Sequence, residues 1–224
     1  MKQLRLSKRL GTAASLVRDG AIVADIGTDH AYIPIYLVQL GKVTKAIASD
    51  INEGPIARAR ENISQCMLND RIITCIANGL EGIEAYEPDD VLICGMGGEL
   101  IAEIIEKSDY IKCDDKRLIL QPMTCAYELR NYLKNGFKII DEAVVYEDGK
   151  YYQIICACYD GEMHEYSYAE LELGKINISK REEVFLNMVD FYIKKKKKIR
   201  DGILKGGCDA TKIEKEIKEL EEVR

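Results

Sequence analysis

Short apolar runs alternate with longer helical stretches between residues 21 and 135, and this alternation constrains the fold more than any other feature. The runs contain few polar residues, which is typical of strands that are buried on both faces. Strands that are separated by helices form parallel sheets covered by helices on both sides. We therefore predict parallel strands at residues 21–25, 45–50, 71–76, 90–95 and 117–121, and helices at 4–18, 31–41, 54–68, 99–107 and 126–135.

The pattern changes after residue 136. Residues 137–146 and 151–159 have the composition of strands, and Glu-Asp-Gly-Lys between them contains the Asp-Gly signal of a hairpin turn. Five parallel strands followed by an antiparallel hairpin resemble the strand sequence of class I methyltransferases, which use S-adenosylmethionine (SAM), and differ from that of a dehydrogenase domain. The predicted fold is therefore α/β, a Rossmann-like class I methyltransferase sheet with a C-terminal antiparallel hairpin.

The last part of the chain is helical. Apolar residues recur every three or four positions on both sides of a Gly206-Gly207 break, which predicts two antiparallel helices and a short coiled coil. We therefore predict two domains, a SAM-dependent methyltransferase domain at residues 1–160 and a helical coiled-coil appendage at residues 161–224.

Composition limits the compartment and the metal content. A hydrophobic content of 47% and a charged content of 31% are those of a folded, water-soluble protein. No apolar run approaches the ~20 residues of a membrane span, and the first residues lack an apolar signal core, so we expect a cytoplasmic protein that binds no membrane. The eight cysteines include no Cys-x-x-Cys pair and there are two histidines, so we expect reduced, mostly buried thiols and no metal. We also expect a monomer.

In open α/β sheets, ligands bind at the carboxyl ends of the strands, where the strand order reverses. The first predicted strand ends in Asp25-Ile-Gly-Thr-Asp, and Gly27 lets the backbone approach a ligand closely. Alone, this loop is equally an ordinary turn from strand to helix. The second strand ends in Asp50, which could accept both hydroxyl groups of a ribose or could cap the next helix.

The third and fourth strand ends complete the set. Asn78-Gly79-Leu80 offers an amide and a flexible backbone to an adenine edge, and Cys94-Gly-Met-Gly-Gly leaves room for substrate and cofactor against the sheet. Four consecutive strand ends with these residue types predict a nucleoside cofactor. The predicted cofactor-binding residues are Asp25, Gly27, Asp29, His30, Asp50, Ile51, Asn78, Gly79, Leu80, Cys94, Gly95 and Met96.

Several stretches also carry a family resemblance, namely LSKRL, ADIGTDHAYIPIYL, ASDINEGPIARARENI, NGLEGI, ICGMGGELI and LILQPM. Between about Leu6 and Cys158 the chain resembles the bacterial tRNA (adenine-22-N1)-methyltransferases. The resemblance implies SAM as cofactor, tRNA as partner, and methyl transfer to N1 of the adenine at position 22 in the D-arm. A methyltransferase of another RNA, a small molecule or a protein, and a nonenzymatic RNA-binding module, are the alternatives.

The first loop supplies the candidate catalytic residues. N1 of adenine can attack a methyl group without first losing a proton, and the attack places positive charge on N1 and N6. We expect Asp29 to accept a hydrogen bond from N6 and His30 and Tyr32 to seat the ring. The alternative is that Asp29 holds the amino group of the methionine half of SAM.

The net charge of −6 repels a polyanion, so tRNA must be held by local basic patches. Residues 161–224 contain 14 basic and 14 acidic residues, so residues 1–160 carry the whole net charge. The predicted phosphate-binding residues are Lys194, Lys195, Lys196, Lys197, Lys198 and Arg200, with Arg5 and Arg9 as a second basic edge. Solvated helix surfaces are the alternative for both groups.

Overall fold

The structure is a computed structural model that describes residues 4–224. Its centre is a seven-stranded sheet with the order β3-β2-β1-β4-β5-β7-β6. The strands are β1 (Ile22–Ile26), β2 (Lys45–Asp50), β3 (Ile72–Ile76), β4 (Asp90–Gly97), β5 (Arg117–Thr124), β6 (Asn135–Glu147) and β7 (Lys150–Met163). The first five strands pair in parallel and β7 pairs antiparallel with β5 and β6, which confirms the predicted fold class.

Helices cover the sheet and form the C-terminal region. They are α1 (Lys8–Ser15), α2 (Tyr32–Gln39), α3 (Glu53–Gln65), α4 (Gly98–Glu106), α5 (Ala126–Leu133), α6 (Tyr168–Leu173), α7 (Lys175–Lys180), α8 (Glu183–Lys205) and α9 (Thr211–Val223). A 3₁₀ turn spans Ile83–Tyr86. Helix α1 is shorter than the predicted 4–18. It begins at Lys8 because Ser7 caps it, with its hydroxyl oxygen accepting the Leu10 N–H, and it ends at Ser15.

The apolar runs face two cores, one on each side of the sheet. In β1, Val23 packs with the residues of one core, and its neighbour Ala24 packs with those of the other. The first core includes Ile35 of α2 and the second includes Ile101 of α4. Burial on both faces explains why the strands show no alternation of polar and apolar residues.

The β6–β7 hairpin turn lies at the same edge of the sheet as the carboxyl ends of the parallel strands. Leu118 of β5 lies opposite Ala157 of β7, and Leu120 lies opposite Ile155, so β7 begins where β5 ends. Both hairpin strands are longer than predicted, because pairing continues past two register shifts as far as Asn135 opposite Met163. Strand β7 therefore crosses the boundary predicted at residue 160.

Helices α8 and α9 pack antiparallel. Arg224 at the end of α9 pairs with Asp190 near the start of α8 at 2.7 Å, and Lys196 pairs with Glu216 at the same distance. A third core, which includes Phe185 and Leu220, joins this helix pair to β6 and α6. The coiled-coil packing and the division into two domains stay predictions.

A buried ion pair connects the sheet to the C-terminal helices. The guanidinium of Arg130 in α5 donates to the carboxylate of Glu142 in β6 at 2.8 Å and to the side-chain oxygen of Gln153 in β7 at 2.7 Å. It also donates to the carbonyl oxygen of Leu171 in α6, and Glu142 accepts the Ile176 N–H of α7 at 2.9 Å. Arg130 and Glu142 are fully buried, so this network fixes α6 and α7 against the sheet.

The eight cysteines, all within the described residues, are unpaired. The expectation that most are buried is wrong, because Cys156 alone is fully buried and Cys113 and Cys208 are exposed. Among residues 4–224, no helix combines the length and the apolar character needed to cross a membrane.

Candidate active site

Two cavities open at the carboxyl edge of the parallel strands and meet at Gly27, which lines both. The larger has a volume of about 440 Å³ and the smaller about 330 Å³. Predicted residues that line the larger cavity are Gly27, Asp50, Ile51, Asn78, Gly79, Leu80 and Met96. Those that line the smaller cavity are Arg9, Asp25, Gly27, Asp29, His30, Tyr32, Cys94 and Gly95. The structure therefore brings together every predicted cofactor-binding residue.

Gly27 shapes the junction between the cavities. Its φ is +75°, and a Cβ added there would overlap the side-chain methyl group of Met96. The N–H groups of Gly27 and Thr28 both donate to the carbonyl oxygen of Ser49 at 2.8 Å, which pins the first loop to β2. Glycine at this position therefore allows both the positive φ and the close packing of Met96 against the loop.

The lining of the larger cavity includes the carboxylate of Asp50 and several apolar side chains. One oxygen of Asp50 accepts the Asn52 N–H at 2.7 Å, and Asn52 precedes helix α3, so Asp50 does not cap an N–H of the helix itself. Leu80, Leu100 and Ile104 line the same cavity. A carboxylate beside an apolar wall fits a ribose and an adenine ring, so the residues present fit the adenosyl part of SAM.

Asp25 gives the smaller cavity a buried carboxyl group. It is 6% exposed, and burial raises its pKa to about 6, while a hydrogen bond from Thr28 opposes that shift. Burial also raises the pKa of the neighbouring Cys94 thiol. No ion pair neutralises Asp25 within residues 4–224, so a cationic ligand group would find a partner there.

Asp29 lies at the rim of the smaller cavity, with its side chain 60% exposed. Arg58 of α3 donates to one carboxylate oxygen through Nε at 3.1 Å and also through Nη2, and the His30 ring nitrogen lies 3.1 Å from the other oxygen. The hydrogen bond from Arg58 is the main cause of the lowered pKa of Asp29. Asp29 therefore stays ionised and held in place.

His30 and Tyr32 form a stacked pair beside Asp29. Their ring centroids are 4.8 Å apart and their planes differ by 10°. Tyr32 is 41% exposed, so one aromatic face remains accessible at the rim. A flat aromatic face next to a carboxylate can hold a planar nucleobase.

Sequence reasoning missed Leu100 and Ile104 in the wall of the larger cavity. It also missed Arg58, which lines neither cavity but holds Asp29. Arg58 lies within a charged stretch of α3, ARAREN, where the local pattern gives no reason to distinguish it from Arg60. Its contact with Asp29 depends on how α3 packs against the first loop. An arginine in the second turn of the helix that follows Asp50, a predicted ligand, is the weak signal that was present.

The two residues of the predicted basic edge near the N-terminus, Arg5 and Arg9, have different surroundings. Arg9 lines the smaller cavity, but its guanidinium donates to the Gln121 side-chain oxygen at 2.6 Å and lies 5.5 Å from the centre of the Tyr152 ring. One guanidinium nitrogen is 3.8 Å from Glu147. Arg5 is exposed and lines neither cavity. Arg9 therefore joins the cavity to the β6–β7 hairpin.

The lysine run divides into two groups. Lys196 and Lys197 form ion pairs with Glu216 and Glu221 of α9, and Lys196 also lies over the ring of Tyr168. Arg200 pairs with its neighbour Asp201. Across residues 4–224, no carboxylate lies within 4.0 Å of the side-chain nitrogens of the exposed Lys194, Lys195 and Lys198. None of these cations lines either cavity.

Comparisons with known proteins identify the family. Residues 6–155 match the family described as a methyltransferase domain. The tRNA (adenine(22)-N(1))-methyltransferase of Bacillus subtilis (strain 168) is 43% identical over 158 residues, which cover 70% of this chain and 66% of that protein. The crystal structure of the B. subtilis m1A22 tRNA methyltransferase TrmK superposes with a TM-score of 0.82 and 35% identity, covering 98% of this chain and 95% of that one. The chain belongs to the TrmK-like family of class I methyltransferases.

The family also identifies the cofactor. Streptococcus pneumoniae Sp1610 in complex with S-adenosyl-L-methionine superposes with a TM-score of 0.86 and 33% identity, covering 98% of this chain and 99% of that one. SAM is therefore the cofactor of this family, as the strand ends predicted. Which of this chain's residues contact it stays a prediction, supported by the fit of both cavities.

Proposed function

We propose that this protein transfers a methyl group from SAM to N1 of the adenine at position 22 of tRNA. The observation that carries the proposal is the pair of cavities that meet at Gly27. The larger fits the adenosyl part of SAM, and the smaller presents a stacked aromatic pair and a carboxylate to a second planar group. The name of the B. subtilis relative supports the choice of substrate.

SAM, when bound, supplies the electrophilic methyl group. The protein has to orient N1 of adenine and oppose the positive charge that develops on N1 and N6. We assign orientation to the accessible ring of Tyr32, stacked on His30, and charge stabilisation to Asp29. Because Arg58 and His30 already hold Asp29, its carboxylate needs little reorganisation during the reaction.

Asp25 is better placed than Asp29 to hold the amino group of the methionine half of SAM. Its carboxyl group is buried, lines the same cavity and has no cationic partner within the described residues. Asp29 is exposed and already paired with Arg58. We therefore assign Asp25 to the cofactor and Asp29 to the target base.

The test of the proposal is incubation of the protein with unmodified tRNA and labelled SAM, followed by mapping of the methylated nucleoside. We expect 1-methyladenosine at position 22, and no label in a matched tRNA that carries guanosine there. Methylation at another position, or of no tRNA at all despite SAM binding, would contradict the assignment. It would favour the alternative of a SAM-dependent methyltransferase of another RNA or a small molecule.

We also propose that the protein acts in the cytoplasm as a monomer, without a metal ion or a membrane. The sulfonium methyl group is already electrophilic and adenine N1 needs no deprotonation, so the reaction requires no Lewis acid. Sedimentation of the protein alone and with tRNA measures the oligomeric state, and activity in the presence of a chelator measures any metal requirement.

Replacing Asp50 by alanine should weaken SAM binding at least tenfold. Hydrogen bonds to a charged group contribute about 1.5–3 kcal/mol net. Asp50 lines the larger cavity, and one of its carboxylate oxygens accepts no hydrogen bond from residues 4–224, so that oxygen is available to a ligand. Calorimetric titration with SAM measures the change, and the thermal unfolding midpoint serves as the folding control. Unchanged SAM affinity would remove Asp50 from the cofactor site.

SAM affinity should fall as the pH drops below about 6. Burial raises the pKa of Asp25 to about 6, so below that pH the free protein carries a neutral Asp25 that cannot pair with an ammonium group. Kd should then rise by up to tenfold per pH unit, and binding at pH 6 should release about half a proton per SAM bound. Calorimetry in buffers of different ionisation enthalpy measures that proton. Asp25→Asn has no carboxyl group at this position, so its SAM affinity should not change over this pH range. If the Kd of the parent protein is also constant between pH 5 and 7, Asp25 does not have this role.

Changing Lys195 and Lys198 to glutamine should weaken tRNA binding and make it less sensitive to salt. Each phosphate contact that is lost reduces the slope of log K against log salt concentration by roughly one. Lys45 and Lys138 are also exposed but lie near the amino ends of β2 and β6, at the opposite edge of the sheet, so their double replacement is the charge-matched control. If the two double variants show the same slope of log K against log salt concentration, the lysine run does not contact tRNA phosphates and is a solvated helix face.

A further inference from the structure

Three aromatic residues form a partly exposed surface outside both cavities. Tyr146 and Tyr151 face each other across the β6–β7 hairpin, with ring centroids 4.8 Å apart, and Phe191 of α8 lies 5.7 Å from Tyr151. Tyr146 is 48% exposed and Phe191 is 50% exposed. We name these three residues the aromatic ladder.

The aromatic ladder lies at the edge of the sheet that carries the cavities. Strand β7 begins where β5 ends, so Tyr146 and Tyr151, beside the hairpin turn, are at the carboxyl edge of the parallel strands. Arg9 lines the smaller cavity and also contacts Glu147 and Tyr152, the immediate sequence neighbours of the two tyrosines. Neighbouring residues of a strand point to opposite faces of a sheet, so Arg9 and the ladder lie on opposite faces of the hairpin and share the carboxyl edge of the sheet.

On its other side, the ladder continues into exposed cations. Lys194, Lys195 and Lys198 follow Phe191 at spacings of three, four and seven residues, which places all four side chains on one face of α8. Each of these three lysines lacks a carboxylate partner within the part of the chain that the structure describes. We name them the basic stripe.

We propose that the aromatic ladder stacks unpaired bases of the tRNA at the carboxyl edge of the sheet, and that the basic stripe holds the adjoining phosphates. This inference rests on the proposed function. Aromatic rings interleaved with cations are the chemistry that binds single-stranded nucleotides, because every base has a face that can stack. A protein partner fits less well, since lysine is depleted at protein interfaces.

The chain contains no tryptophan, so Phe191→Trp introduces a single fluorescent reporter into the ladder. We expect unmodified tRNA to quench this fluorescence strongly, because a stacked base is in direct contact with the indole. Leu204→Trp is the matched control, since Leu204 is 52% exposed on the same helix and roughly 20 Å further along it. Equal quenching of the two reporters, or none at Phe191→Trp, would overturn the proposal.

A double variant, Tyr146→Leu with Phe191→Leu, keeps apolar side chains but cannot stack. We expect its tRNA Kd and KM to rise about tenfold, with SAM affinity and kcat unchanged. Ile73→Ala, an exposed apolar position in the edge strand β3, should bind tRNA as the parent does. Parental tRNA affinity of the double variant would overturn the proposal, as would self-association of the parent that this variant abolishes.

The parent protein separates this inference from the proposed function. If the parent methylates adenine 22 and the double variant binds tRNA normally, the ladder proposal alone fails. If the parent methylates no tRNA but tRNA still quenches Phe191→Trp selectively, the proposed function fails and the ladder remains a nucleotide-binding surface.

Discussion

Replacing Asp29 by asparagine should slow tRNA methylation by about a hundredfold or more while SAM affinity stays nearly normal. The substitution keeps the size of the side chain but removes the negative charge that we assign to opposing the charge on N1 and N6. Preorganised polar groups of this kind contribute 10²–10³ in rate. Single-turnover kinetics with unmodified tRNA measures the chemical step, and calorimetry with SAM measures cofactor binding separately.

Asp70→Asn is the control for this experiment, because Asp70 is exposed and precedes β3 at the opposite edge of the sheet. Arg58→Gln tests the support of Asp29 and should lower the rate less than Asp29→Asn, since the carboxylate remains but is held less firmly. Loss of SAM affinity in parallel with the rate in Asp29→Asn would instead make Asp29 a cofactor ligand.

Replacing Arg130 by methionine should lower the free energy of unfolding by about 3–5 kcal/mol, because it leaves the carboxylate of Glu142 buried without its partner. Gln153 would lose a hydrogen-bond donor as well. The double variant Arg130→Met with Glu142→Leu should recover part of the loss, since both charges are gone. Urea unfolding measures all three proteins.

Lys112→Met is the comparison, because Lys112 forms an ion pair with the almost fully exposed Asp109 and should change stability little. If Arg130→Met is no less stable than Lys112→Met, the buried network does not hold α6 and α7 against the sheet. A double variant less stable than Arg130→Met would show that Glu142 has other essential contacts, such as that with the Ile176 N–H.

The sequence predicts the parallel strands because their burial on both faces removes polar residues from them. It also predicts the site, since the carboxyl ends of parallel strands must meet at one edge of the sheet. Asp25 and Asp50 therefore lie at the same edge of the sheet, although 24 residues separate them in the chain.

Contacts between elements that are not adjacent in the sheet could not be predicted in this way. Arg58 reaches Asp29 only when α3 packs beside the first loop, and Lys196 faces Glu216 only in the register in which α8 and α9 pair. The buried pair of Arg130 and Glu142 requires that α5 and β6 converge beneath α6. Each depends on tertiary packing, which leaves no periodic signal in the sequence.

The strand order has a consequence for how this architecture could diversify. The loops proposed to hold SAM follow β1 to β4 in one half of the sheet, whereas the C-terminal helices attach to β6 and β7 at the far side of β5. A different set of C-terminal helices could therefore replace the present one on the same sheet if Arg130, Glu142 and Gln153 are kept as the buried contacts that hold it. The helical contacts to RNA could then change while the loops proposed to hold SAM and the target base stay the same.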